Sequence, residues 1–369
     1  MQDWPLTVDR IIHHAARWHG AREVVHRSAD GSIARTSYQA IHGRARRLSG
    51  ALKTLGIGFG DRVATMAWNR STHIETWYGI MGMGAVCHTL NPRLFADQLV
   101  YIVNHAGSRL LFADTDFVPF IRDNLGRMPS LEKIILYGDQ GTLPDCPQSI
   151  SYEELLGSAE ADVPWGGFDE HTACGLCYTS GTTGNPKGVL YSHRSNYLHA
   201  LIALQSDIFG LSETDVVLPV VPMFHANAWG LAFAAPAVGA KLVMPGSRLD
   251  GPSIFELIET EGVTFSAAVP TVWQTLLHYL RESGRTPATL RRVVIGGSAC
   301  PESLIRGFHE EYGVEVRHLW GMTEMSPLGT VGALPSAIAG LPYDEQMPYR
   351  LKQGRPPLGV DLALFDDAE

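Results

Sequence analysis

The chain has 369 residues, 45% of them apolar and 18% charged, which suits two or three globular units of ~150 residues and excludes a disordered chain. Five scattered cysteines exclude a disulfide-held scaffold and fit a reducing compartment. A formal net charge of -9 argues against nucleic acid as a partner, because phosphate binding needs a basic stripe.

The N-terminus, Met1-Gln2-Asp3-Trp4-Pro5, lacks a basic region followed by an apolar one. The most apolar long stretch, 229–244, contains Pro236 and Lys241 and falls short of the ~20 apolar residues of a spanning helix. A soluble cytoplasmic protein with no membrane span is expected.

Ile41, Ala45, Leu48, Leu52 and Leu55 recur at spacings of four and three, which predicts a helix over 38–55 with one apolar face. Gly56 supplies its stop. Strands are expected at 63–68, 85–89, 110–113 and 133–137, with helical patterns between them. That alternation argues for a parallel sheet covered on both faces. Residues 138–164 are rich in Gly, Pro, Asp and Ser and read as a subdomain boundary.

The alternation then restarts. Strands are expected at 175–178, 216–221, 241–244, 264–269, 292–295 and 314–319. Helices are expected at 195–207, 253–261, 271–281 and 301–312. Beyond Gly329 repeated Gly and Pro break the pattern, and 360–365 reads as a strand running into the first side of a hairpin.

The strongest motif is Tyr178-Thr179-Ser180-Gly181-Thr182-Thr183-Gly184-Asn185-Pro186-Lys187-Gly188, directly after an expected strand. Its glycines let backbone approach a ligand closely. Successive N–H groups of such a loop form an anion nest. The hydroxyls and Lys187 add donors and charge suited to a polyphosphate. A plain polar surface loop is the alternative, and the density of these groups disfavours it. A Walker A loop needs Gly before the Lys and Ser or Thr after it; here the neighbours are Pro186 and Gly188.

Trp320-Gly321-Met322-Thr323-Glu324 also follows an expected strand, where open α/β sheets bind ligands. Trp320 could stack on a base, Thr323 could donate to a phosphate and Glu324 could hold Mg²⁺. Alone the string is weak, since a Glu after a strand is usually a helix start or a solvated charge. Ile295-Gly296-Gly297-Ser298-Ala299-Cys300 departs from a nucleophile elbow because Cys300 stands where Gly is needed. Its paired glycines instead let a flat ligand lie close to the backbone. Pro222-Met223-Phe224-His225-Ala226-Asn227-Ala228-Trp229-Gly230 mixes aromatic and small residues around one His. Composition leaves a pocket wall and a buried loop equally open there.

Cys174-Gly175-Leu176-Cys177 has no second CxxC for zinc, and residues three apart on a strand face opposite ways. No HExxH is present. Arg44-Ala45-Arg46-Arg47 reads as the solvated side of its helix.

On these residues the chain resembles the adenylate-forming superfamily of acyl-CoA synthetases, luciferases and peptide-synthetase adenylation domains. The 179–188 string matches the family's phosphate loop and 321–324 its second signature, in order and spacing. Within the family, Cys87-His88-Thr89-Leu90-Asn91-Pro92-Arg93 and 223–230 look most like medium-chain fatty acyl-CoA ligases and 3-methylmercaptopropionate-CoA ligases.

The resemblance implies an α/β fold of two packed subdomains with largely parallel sheets, about 38–164 and 170–329, and the start of a β-barrel subdomain over 330–369. It implies that ATP activates a carboxylic acid to acyl-AMP and pyrophosphate, and that coenzyme A then takes the acyl group. Thr179 and Glu324 would sit at Mg²⁺. Ser180, Gly181, Thr182, Thr183, Gly184 and Lys187 would hold the β- and γ-phosphates. Gly297, Ser298, Ala299, His318, Leu319, Trp320, Gly321 and Met322 would border the nucleotide, with Thr323 on the α-phosphate. His225, Trp229, Gly296 and Gly297 would line the acyl pocket. Relatives usually carry Tyr where Trp320 stands, which leaves the adenine packing open.

The family's ribose-binding Tyr-Thr-Gly-Asp string, hinge and small C-terminal domain do not follow Glu369. A large N-terminal domain alone, poorly active by itself, is therefore expected. A homodimer is the family's precedent. Trp229 in the pocket suggests a short or medium acyl chain. The rival readings are an aryl-acid or luciferase-like adenylating enzyme, a non-catalytic nucleotide-binding module, and a hydrolase using Ser298.

Overall fold

The computed structural model describes residues 3–138, 143, 146, 148–159, 162–179 and 184–366. Helix Asp9–Trp18 comes first, followed by an antiparallel hairpin of β1 (Glu23–Arg27) and β2 (Ile33–Ser37). Then come β3 (Arg62–Met66), β4 (Val86–Thr89), β5 (Leu110–Asp114), β6 (Lys133–Tyr137), β7 (Ser149–Ser151), β8 (Ala173–Thr179) and β9 (Lys187–Ser192). The last six are β10 (Val216–Pro219), β11 (Lys241–Met244), β12 (Phe265–Ala268), β13 (Arg292–Ile295), β14 (Glu315–Gly321) and β15 (Leu328–Val331).

Two sheets result. One has the order β7-β6-β5-β3-β4-β8-β9, parallel except at β8–β9. The other has the order β15-β14-β13-β12-β10-β11-β1-β2, antiparallel only at β14–β15 and β1–β2. Strands such as β5, Leu-Leu-Phe-Ala-Asp, are buried along their whole length, as parallel strands covered on both faces must be. The expected pair of α/β units is therefore present.

The sheets do not follow the expected boundaries. β8 and β9 lie inside 170–329 yet complete the first sheet beside β4. β1 and β2, read as no element, extend the second sheet through Val24 opposite Leu242. Their short sequences carry no distinctive alternation, and their partner strand is distant in the chain. The expected strand 360–365 is absent: these residues join no sheet, Val360 N–H donates to Pro357 O in a turn at 3.1 Å, and Leu364 is 91% exposed. Between 332 and 366 the structure has helices Ser336–Ala339 and Tyr343–Arg350 and one bridge, Val331 to Arg355. Backbone N–H and C=O groups make a strand only where another edge receives them.

Helix Tyr38–Thr54 starts where the Ser37 hydroxyl accepts from Ala40 N–H, a side-chain N-cap. It buries Ile41, Ala45, Leu48 and Leu52. It packs closely on helix Ser71–Gly82 because Gly79 has no side chain; a Cβ there would lie 2.9 Å from Leu48 Cδ2 and 3.0 Å from Ala45 O.

The basic run on that helix is not simply solvated. Arg44 Nε donates to Glu75 Oε2 at 2.9 Å, and its Nη2 donates to Glu153 at 2.5 Å. Glu75 is buried and also accepts from Tyr152 Oη at 2.9 Å. Burial, against the pull of Arg44, pushes the Glu75 carboxyl up to about 6. Arg44→Ala leaves that carboxylate without its cation, which should cost about 3 kcal/mol near pH 7. Without Arg44 the folded protein holds the Glu75 proton more tightly still than the wild type does. The destabilisation relative to wild type should therefore grow as pH rises above about 6, the value Glu75 has with Arg44 present, and shrink below it. Urea unfolding of both proteins at pH 5 and pH 7 checks this; an equal loss at both would count against it.

Candidate active site

β10 has β11 on one side and β12 on the other, so the chain reverses direction across the sheet there. Such a switch point opens a crevice beyond the carboxyl ends of the strands. Three connections meet at it: the segment after β10, Gly296–Gly297 after β13 and the turn after β14; β9 of the other sheet reaches the last of these through Tyr191.

The segment after β10 has an unusual backbone. Ala226, Asn227, Ala228, Trp229 and Gly230 take φ of 44, 58, 51, 52 and 78°. A left-handed turn costs about 1–2 kcal/mol per non-glycine residue, so the surroundings must hold it. Residues 226–230 are all buried, and Asn227 Nδ2 donates to Asn196 Oδ1 at 3.1 Å. The turn places the Trp229 ring near Gly296, where a Cβ would lie 3.2 Å from Trp229 Cη2 and 2.6 Å from Leu319 Cδ1. Both neighbours would have to move for any larger residue at 296.

A cavity of about 270 Å³ lies at this junction. It is lined by His225, Trp229, Gly297, Leu319, Gly321, Met322, Thr323 and Glu324 among the residues expected from the sequence. His199, Phe209, Ala226, Pro327 and Leu328 complete it and were not anticipated. His199 belongs to helix His193–Ala203 and is buried, and burial pushes its imidazole down to about 4. It therefore presents a neutral ring to the cavity.

The other expected residues lie outside this lining. Thr179 and Lys187 pair across the β8–β9 hairpin. Gly184 sits at φ 142°, and Ser180, Gly181, Thr182 and Thr183 fall outside the described residues. Ser298 and Ala299 follow Gly297 on the exposed loop after β13. Trp320 lies against Gly329, where a Cβ would meet its Cζ3 at 2.5 Å. His318 is buried, and Cys300 N–H donates to its Nε2 at 3.3 Å. That bond makes Nε2 the acceptor and puts the proton on Nδ1. Burial also holds this imidazole below its usual range. Among the described residues no imidazole hydrogen-bonds the Ser298 hydroxyl, as a serine nucleophile would require.

No group of three His, Cys, Asp or Glu able to hold a metal occurs among the described residues. The donors at the crevice still fit Mg²⁺ carried by a phosphate ligand. Glu324 is an exposed carboxylate on the cavity wall, Thr179 ends β8 with a hydroxyl, and Mg²⁺ on phosphates needs only one or two carboxylates.

The family described as "AMP-binding enzyme" matches residues 12–369. The medium-chain-fatty-acid–CoA ligase of Ectopseudomonas oleovorans is 47% identical over 98% of this chain and 67% of its own length. The 3-methylmercaptopropionyl-CoA ligase of Ruegeria lacuscaerulensis is 47% identical over 100% of this chain and 68% of its own. The chain thus spans about two thirds of these relatives. The anthranilate CoA ligase AuaEII, solved in complex with anthranoyl-AMP, superposes with a TM-score of 0.86 at 24% identity, covering 100% of this chain and 68% of that one. The N-terminal domain of FACL13 from Mycobacterium tuberculosis does so with a TM-score of 0.79 at 25% identity, covering 95% and 82%. By the match over residues 12–369 and the relatives at 47% identity, the chain belongs to the AMP-binding enzyme family.

Proposed function

We propose that this chain activates a short- or medium-chain carboxylic acid as an ATP-dependent acid:CoA ligase. The observation that carries this reading is one cavity with two chemistries. Phe209, Trp229 and Leu328 give it an apolar wall, and Thr323 and Glu324 give it a polar one. An acid must place its tail on the first and its carboxylate beside the second.

In the first half-reaction a carboxylate oxygen attacks the α-phosphorus of ATP, and pyrophosphate leaves with the bonding pair. Thr323 donates to the α-phosphate, and Lys187 balances charge on the leaving group. Thr179 and Glu324 would hold Mg²⁺, which supplies charge neutralisation on the phosphate oxygens. The loop 180–184 would cradle the outer phosphates. Gly297, Ser298, Ala299 and His318 border the adenine. Fixed donors aimed at developing charge need no reorganisation during reaction, which is why such groups accelerate it. In the second half-reaction the coenzyme A thiolate attacks the acyl carbonyl and AMP leaves.

The acid's size follows from the pocket. A volume near 270 Å³ is at the small end of the ~300–1,000 Å³ range for ligand pockets, and the Trp229 ring takes up depth that a long tail would need. No helix among the described residues is long and apolar enough to cross a membrane.

Thermal unfolding against non-hydrolysable acyl-adenylate analogues tests the reading. A ligand at 100 times its dissociation constant should stabilise the fold by about 2.7 kcal/mol. Hexanoyl and octanoyl analogues should do so more than palmitoyl or benzoyl ones. Trp229→Ala should shift the preference toward longer chains by about tenfold in affinity. Stabilisation by the benzoyl analogue alone would move the assignment to aryl acids. No stabilisation by any analogue would sink it.

A further inference from the structure

We propose that Tyr191 is a positioning residue: its hydroxyl ties the strand leaving the phosphate loop to the turn carrying Thr323 and Glu324, and so sets the reach of Glu324 toward nucleotide-bound Mg²⁺. This rests on the ligase reading above.

Tyr191 lies on β9, four residues beyond Lys187. Its ring lies against Gly175 of β8, where a Cβ would stand 3.3 Å from Tyr191 Cδ2. The side chain is 2% exposed, and a buried phenol needs a partner for its O–H. That partner is the Thr323 carbonyl oxygen, 2.7 Å away. β9 belongs to the seven-stranded sheet, whereas the Thr323 turn follows β14 of the eight-stranded one. This hydrogen bond therefore crosses between the two sheets.

Among the described residues it is the one hydrogen bond joining the β8–β9 hairpin to the turn 321–326. The turn's other bonds are its own: Met322 N–H to Pro327 O and Met325 N–H to Met322 O, both 2.9 Å, and Ser326 N–H to Thr323 O at 3.5 Å. β14–β15 pairing holds the ends of the turn, whereas Met322 and Glu324 between them are exposed. A phosphate chain gripped by the hairpin and a cation gripped by Glu324 must keep one separation. Tyr191 supplies the cross-link that holds it.

The test is calorimetric titration of ATP with and without Mg²⁺ into the wild-type chain, Tyr191→Phe, Glu324→Gln and the double variant. Mg²⁺ should tighten ATP binding to the wild type. In Tyr191→Phe this tightening should fall about tenfold, the scale of one good hydrogen bond. Affinity for metal-free ATP should change less than twofold, and the melting temperature by less than about 3 °C. The double variant should be no worse than Glu324→Gln. The proposal is overturned if Tyr191→Phe keeps the full Mg²⁺ effect, weakens both forms of ATP equally, or multiplies its loss with that of Glu324→Gln. If the wild type shows no Mg²⁺-dependent ATP binding, the ligase reading itself falls and takes this proposal with it.

Discussion

Glu324→Gln should reduce acid-dependent pyrophosphate release by about 10²–10³-fold, the scale for losing one preorganised electrostatic partner of a transition state. Glu324 is exposed, on a three-residue turn after β14. Substitutions at such positions usually alter stability by less than ~0.5 kcal/mol, so the lost activity would not reflect unfolding. Gln keeps the size and one carbonyl oxygen but removes the charge that would meet Mg²⁺. The loss should therefore appear in the rate at saturating acid, with the acid's KM little changed. Hydroxylamine trapping of the activated acyl group, run alongside pyrophosphate release, reads the first half-reaction without the second. A variant within threefold of wild type would remove Glu324 from the metal site.

Gly230→Ala should destabilise the fold by about 2–4 kcal/mol, through an unfavourable φ together with overpacking. Gly230 closes the left-handed run at φ 78°. A Cβ there would stand 2.4 Å from both Cε1 and Nδ1 of His199. His199 is itself buried, so its ring has little room to retreat. The same displacement would disturb the cavity, because His199 and Trp229 both line it. Acyl-adenylate analogues should then bind more weakly even where the protein is still folded. Denaturant titration gives the first quantity and calorimetry below the transition gives the second. An unaffected midpoint would mean that His199 moves aside freely.

The central strands and helix Tyr38–Thr54 were legible because their information is local: period, cap and glycine stop lie within one stretch of chain. The loops bearing Thr323 and Gly297 stood out at strand ends, whereas for the loop of Trp229 composition left a pocket wall and a buried loop equally open, and the family resemblance chose between them. His199 and Phe209 were not, because nothing near them in sequence announces a ligand; they reach the cavity only when their segment packs against the turn at 226–230. That turn was equally hidden. Asn tolerates left-handed backbone, but one Asn among Ala and Trp does not forecast five such residues in a row. The Arg44–Glu75 pair depended on a helix contact that a single-helix pattern does not contain. The assignment of β8–β9 to the first sheet, and of β1–β2 to the second, needs pairings that close only across long loops.

The pairing of Val24 with Leu242 has a consequence in time. At roughly 5–20 residues per second, the ribosome delivers β1 some 10–45 s before β11 exists. Throughout that interval Val24 and Val25, fully buried in the finished protein, can pair with β2, but their other edge has no partner. The eight-stranded sheet can therefore be completed only after every strand of the seven-stranded one has been synthesised. The opening hairpin of the chain therefore joins its sheet only once a strand far along the sequence has been made.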